Sequence, residues 1–228
     1  LIVTGTSLAH SQQAIELCIR HPGRLYCTAG VHPHDASSWD ATSEKQLVQL
    51  SESPVVRAIG ETGLDFNRNF SPRDTQIKVF EAQMDIASRT GKPLFLHQRD
   101  ALPDFIPLLR QTRDRVSQVV VHCFTNDQST LHQLLDLDCH IGVTGWICDE
   151  RRGKNLRASV RDIPANRLMI ETDAPYLLPR DLPDPPKDKT NRPCYLPHIL
   201  QRVADLRGDD QAQLAATIHQ TTSNFFQI

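Results

Sequence analysis

The chain has 228 residues, with 25 Lys and Arg against 27 Asp and Glu, a formal net charge of −2. So small a charge excludes a global field that draws in a polyanion, and any such binding must come from a local patch. No apolar run approaches the roughly 18 residues of a membrane-spanning helix, and the opening LIVTGTSLAH lacks the basic n-region of a signal peptide.

The pattern begins with LIVTG (1–5), a β-branched strand, and a helical segment over 8–20. LYCTAGV (25–31) is the second strand. A helix carrying Leu47 and Leu50 follows, with SEKQ (43–46) placed as a capping box. VVRAIG (55–60) reads as a third strand that stops on Glu61. In SPRDTQIKVFEAQMDIASRTGK, Ser71 is the expected N-cap, Pro72 the first helical residue and Gly91 the residue past the end. Ile77, Phe80, Met84 and Ala87 share one stripe of that helix. PLFLH (93–97) is the next strand, and Pro107 should kink or delay the helix over 101–111. Then come QVVVH (118–122), a helix over 128–137, HIGVTG (140–145), a helix over 154–161 and RLMIET (167–172). A proline-rich loop (177–193) leads to helices over 196–207 and 210–226.

Strands apolar on both faces that alternate with helices indicate a parallel sheet. A doubly wound open sheet is the alternative, but no GxGxxG follows the first strand. The expectation is an α/β fold, a TIM (β/α)8 barrel forming a single domain over 1–228. Seven of its eight strands are visible, so the first βα unit is expected to be missing from this chain.

In barrels, chemistry collects where strands end and βα loops begin. The strand ends here carry Glu61, His97, His122 and Asp173, with His32 and His34 after the second strand. Two imidazoles and two carboxylates converging on one mouth form a divalent-metal ligand set, and mixed N/O donors suit Mg²⁺, Mn²⁺ or Zn²⁺. Each residue alone has a blander account. A single histidine is more often a hydrogen-bonded core residue, and Glu61 could pair with Arg68 or Arg99. Four such residues at strand ends favour a shared site. Cys123, directly after His122, should point away from it and be structural. The six cysteines show no CxxC pair, which favours reduced thiols in a cytoplasmic protein.

At these residues the sequence resembles the TatD family of metal-dependent nucleases, which belongs with the amidohydrolase-like TIM barrels. The matching stretches are GVHPHD (30–35), AIGETGLDFNRNF (58–70), PLFLHQRD (93–100), VVHCFT (120–125), IGVTGW (141–146), CDERRG (148–153) and LMIETDAPYLLPRDL (168–182). The resemblance implies that Glu61, His97 and His122 ligate metal, and that Asp173 is a metal-associated acid that orients or deprotonates water. It places His32 in the site, touching metal or scissile phosphate. The HxH pair that many family members carry on the first strand has no counterpart in this chain. HQRD and HCFTN stand where the family more often has HCRD and HCFTG, and no strand-end lysine is available for a carbamylated bridge.

The implied reaction is metal-dependent 3′–5′ exonucleolysis of single-stranded DNA, and possibly of RNA, in DNA repair or degradation. One or two ions are implied, with Mg²⁺ expected. Arg99, Arg151 and Arg152 are the expected phosphate contacts, and Phe66, Phe70, Trp146 and Tyr176 lie near them in sequence as stacking surfaces. The alternative is a metal-dependent hydrolase of a small ester, amide or phosphoester on the same barrel. A monomer with no membrane association is expected.

Overall fold

The computed structural model of the protein describes residues 1–228. The chain divides into two compact units, Leu1–Val120 with Phe226–Ile228, and Val121–Phe225. No helix is long and apolar enough to cross a membrane.

The first unit runs β1 (Ile2–Val3), α1 (Leu8–Ile19), β2 (Tyr26–Ala29), α2 (Ser43–Ser51), β3 (Val56–Asp65), α3 (Arg73–Thr90), β4 (Leu94–Arg99) and α4 (Leu102–Thr112), with β5 (Val119–Val121) at its boundary. β1, β2, β3 and β4 pair side by side, each pair parallel. The second unit contains α5 (Gln128–Asp136), β6 (His140–Val143), α6 (Lys154–Ser159), β7 (Leu168–Ile170), α7 (Leu196–Arg207) and α8 (Gln211–Phe226). There β6 pairs parallel with β7.

The third strand does not stop at its acid. It continues to Asp65, because pairing with β4 resumes beyond an irregularity: Ile59 is opposite Leu94, whereas Thr62 is opposite Leu96. Three steps on β3 therefore answer two on β4, and the extra residue falls at Gly60–Glu61. A bulge of this kind re-aims a side chain that regular alternation would send elsewhere. Glycine is needed at both ends of it. A Cβ on Gly60 would be driven into the Phe95 carbonyl oxygen, and one on Gly63 into that of His97, and both residues have positive φ.

Two expected caps form differently. α3 starts after Pro72, and Ser71 makes no cap. Its hydroxyl donates to the His34 carbonyl and accepts from the Ser37 amide, tying two loops together. At α2, Ser43 bonds Asp40 in place of a reciprocal box with Gln46. α4 begins at Leu102 and carries Pro107 inside it, so its start is not delayed.

The buried face of α3 also differs from the apolar stripe. Phe80, Met84 and Ala87 are buried, but Ile77 is only half-buried and Gln76 and Gln83 are fully enclosed. Gln76 accepts from the Asp65 amide and donates to the Asp65 and Ser71 carbonyls. Gln83 accepts from the Val31 amide and donates to the Val31 carbonyl and the Thr62 hydroxyl. Each amide thus replaces ladder partners for backbone that would otherwise be buried unsatisfied.

Gly60→Ala should lower stability by about 2–4 kcal/mol, since it combines a backbone clash with a disfavoured φ. The urea midpoint checks this, and an unchanged midpoint would show that the bulge tolerates a side chain.

Candidate active site

The bulge sets Glu61 facing two imidazoles. Glu61 Oε1 lies 3.3 Å from His32 Nε2 and 3.1 Å from His97 Nδ1. His32 and Glu61 are buried and His97 is partly so, and one donor atom from each lies within 4.8 Å of the others. Burial pushes the His32 pKa down, more than Glu61 pulls it up. A neutral imidazole keeps a lone pair, which is what a ligand needs.

Beneath this trio sits a second carboxylate, Asp65, which is 1 % exposed. Its Oδ2 is 3.3 Å from His97 Nε2 and 2.7 Å from His34 Nε2, while its Oδ1 accepts the amides of Asn67 (3.0 Å) and Arg68 (2.9 Å). Burial alone would raise its pKa, but His97, the Arg68 amide and His34 together hold it well below the usual carboxylate range. Asp65 thus shapes its loop and also orients His97. His97 is bracketed by two carboxylates, one on each ring nitrogen.

In the second unit His122 is buried directly after β5, with Nδ1 3.4 Å from Glu171 Oε2. Glu171 Oε1 accepts the Cys123 amide at 2.6 Å. A Cβ on Gly142 would collide with that same carboxylate, so the glycine makes room for it. Asp173 follows β7 with φ 57°, a left-handed conformation that aspartate tolerates better than most residues. Cys123 places Sγ 3.5 Å from the Thr144 hydroxyl, and burial pushes its thiol up to about 12, which suits an inert residue.

The arginines are exposed. Arg99 ends β4 in register with Asp65. The Arg151 and Arg152 amides both donate to Asp149 Oδ1, and the Arg152 guanidinium lies 5.7 Å from the Trp146 ring centre. The residues to which the sequence assigns no role in the site are Asp65 and Glu171. Both lie inside the quoted motifs, Asp65 four positions from Glu61 and Glu171 two from Asp173; His34, expected beside the site, joins it through Asp65.

A second donor group, Cys148, Asp181 and His198, also falls within 4.8 Å. Its charge is already met: Asp181 has His198 Nε2 at 2.7 Å on one oxygen and the Arg202 guanidinium at 3.4 Å on the other. Burial, followed by the Asp181 charge, pushes the Cys148 thiol up, which keeps it protonated. This group is a hydrogen-bonded strut between the loop after β7 and α7. The His32–Glu61–His97 donors, with a buried carboxylate and a neutral imidazole, fit a divalent cation better.

A model of the TatD related DNase family matches residues 1–227. The chain belongs to the TatD family. It is 50% identical over 228 residues to the 3′-5′ ssDNA/RNA exonuclease TatD of Escherichia fergusonii, covering all of this chain and 87% of that protein. Identity to the same-named protein of Escherichia coli K12 is 49%, with the same coverage. Among solved structures, the TatD homologue YJJV of E. coli K12 superposes with a TM-score of 0.89 at 26% identity, over 100% of this chain and 86% of that one. A TatD family hydrolase from Entamoeba histolytica gives 0.88 at 25% identity, over 99% and 83%. The TatD assignment and these likenesses give the fold class, α/β of the TIM-barrel-like kind.

If the trio holds an ion, Mn²⁺ should stabilise the protein against heat, by about 2.7 kcal/mol once the free ion reaches a hundred times its dissociation constant. The shift should vanish in Glu61→Gln. An equal shift in that variant would move the site elsewhere.

Proposed function

We propose that this chain acts as a single TatD-type hydrolase domain, a metal-dependent 3′–5′ exonuclease of single-stranded DNA and RNA. The observation that carries the reading is the buried His32–Glu61–His97 donor set in a chain about half identical to proteins named for that activity. The ion we assign is Mg²⁺, with Mn²⁺ bound more tightly by the imidazoles. When bound, a divalent cation lowers the pKa of a water and offsets charge on the departing 3′-oxygen.

The chain's own residues divide the remaining work. Glu61 and His97 hold the cation, and Asp65 keeps the His97 ring in the orientation that points one nitrogen at Glu61. His32 stands with them, against the ion or the scissile phosphate. His122, steadied by Glu171, is proposed as a further ligand. Asp173 accepts a proton from the attacking water. The new bond forms between that water oxygen and phosphorus, and the bond from phosphorus to the 3′-oxygen breaks. The strand is left with a free 3′-hydroxyl and is shorter by one 5′-nucleotide. Arg99, Arg151 and Arg152 offer exposed positive charge to the remaining phosphates, which compensates for the absence of a global positive field. The cysteine pattern supports a cytoplasmic setting, and we propose that the enzyme acts as a monomer.

A 3′-labelled single-stranded oligonucleotide with Mg²⁺ or Mn²⁺ should lose its label first. Glu61→Ala and Asp173→Asn should each reduce this by at least about a hundredfold. Label retained, alongside strong turnover of a small ester or amide, would replace the exonuclease with the small-substrate hydrolase. Glu171→Gln should cost about 10–100-fold in kcat/KM, because it weakens the hold on His122 without removing a ligand. Full activity in that variant would make Glu171 a packing residue only.

A further inference from the structure

We propose that Phe70 is a stacking platform for a nucleobase beside the scissile phosphate, an assignment that rests on the exonuclease reading above. An exposed phenylalanine alone needs no explanation. Placement and fixation distinguish this one.

Phe70 is 67% exposed, whereas Phe66, four residues earlier, is 7% exposed. Its ring centre lies 4.8 Å from that of His34, with the planes 73° apart. His34 in turn stands 4.3 Å from His32, edge to face. One imidazole therefore separates Phe70 from the donor set, while most of its surface is open to solvent. A nucleotide whose phosphate reaches the donor set carries its base one sugar away, which matches that offset.

The loop that presents the ring is tied on both sides. Before it, Asp65 takes the Asn67 and Arg68 amides, the Asn69 side chain donates to the Phe66 carbonyl at 2.6 Å, and Arg73 lies over the Phe66 ring at 4.5 Å. After it, Ser71 bonds both His34 and Ser37. Asn69 adopts a left-handed turn with φ 49° that sets the direction of Phe70. A platform held this way loses little freedom when a base settles on it. Stacking on a flat ring accepts any base, as an exonuclease that advances along a strand requires. Phe70 is mostly open to solvent and outside the buried core, so stability depends little on it.

The test compares the KM of the full chain, with Mn²⁺, for a single-stranded oligonucleotide and for the same oligonucleotide with abasic units in its last two 3′ positions. The wild-type protein should bind the abasic substrate about tenfold more weakly. Phe70→Ala should raise KM for the normal strand by about tenfold and erase the difference between the two, while Phe70→Trp should keep it. Unfolding midpoints of both variants should match the wild type. Discrimination by Phe70→Ala as strong as the wild type's overturns the assignment, as does a wild-type protein that does not discriminate. A wild-type protein that degrades neither strand overturns the exonuclease reading, and this assignment with it.

Discussion

Two carboxylates buried four residues apart on one strand, Glu61 and Asp65, are the constraint around which the first unit is arranged. Each would cost several kcal/mol if left without partners in that setting. The neighbouring elements answer that cost. β2 delivers His32 and His34, β4 delivers His97, and the loop after β3 turns two amides back onto Asp65. The apolar residues on either side, Ile59 and Leu64, anchor the strand so that the acids cannot withdraw to water. An arrangement this demanding is kept where the charge has a use, and a cation on Glu61 is the simplest one.

α3 shows how the demand spreads. A helix packed on a regular parallel strand needs only an apolar face. Pairing of β2 with β3 ends at Ala29 and Ile59, and backbone beyond that point lacks ladder partners on that side. Gln76 and Gln83, two helical turns apart, replace them at Asp65 and at Val31, the residue before His32. Both glutamines hold backbone next to a residue of the site. The register of the helix against the strand is thereby fixed by polar contacts as well as by Phe80 and Met84.

Much of this was legible in the sequence. Helix 196–207 begins and ends where its early proline and its following glycine mark it, and five of the seven strands lie within the apolar runs that predict them, while β3 and β4 run on past theirs to Asp65 and Arg99. The chemistry-bearing strand ends were visible because so few ionisable residues interrupt those runs. What escaped was pairwise. A bulge is a property of two strands, so VVRAIGETGLD gave no sign that β3 continues beyond its acid. Gln76 and Gln83 lie outside the apolar stripe, and glutamine is mostly an exposed residue, so nothing local marks them for burial. Ser71 satisfied every local requirement of a helix cap, yet the His34 and Ser37 backbone competed for its hydroxyl and won. Each miss comes from a tertiary partner taking a group that local rules had assigned elsewhere.

The residues that escaped also share a design. Asp65 puts one oxygen on backbone amides and the other on His34 and His97; Glu171 puts one oxygen on the Cys123 amide and the other on His122. In both, the backbone bonds fix the carboxylate first, and the carboxylate then fixes an imidazole that the family resemblance assigns to metal. An imidazole so held has one ring nitrogen committed and the other aimed, which removes rotational freedom before any ion arrives. The fixed carboxylate also makes that imidazole a better electron donor. The same device appearing in each unit, on strands far apart in sequence, is hard to account for by packing alone, since an apolar residue would pack as well without the cost of a buried charge. It argues that the two units are shaped by one requirement: histidines held rigidly in one orientation.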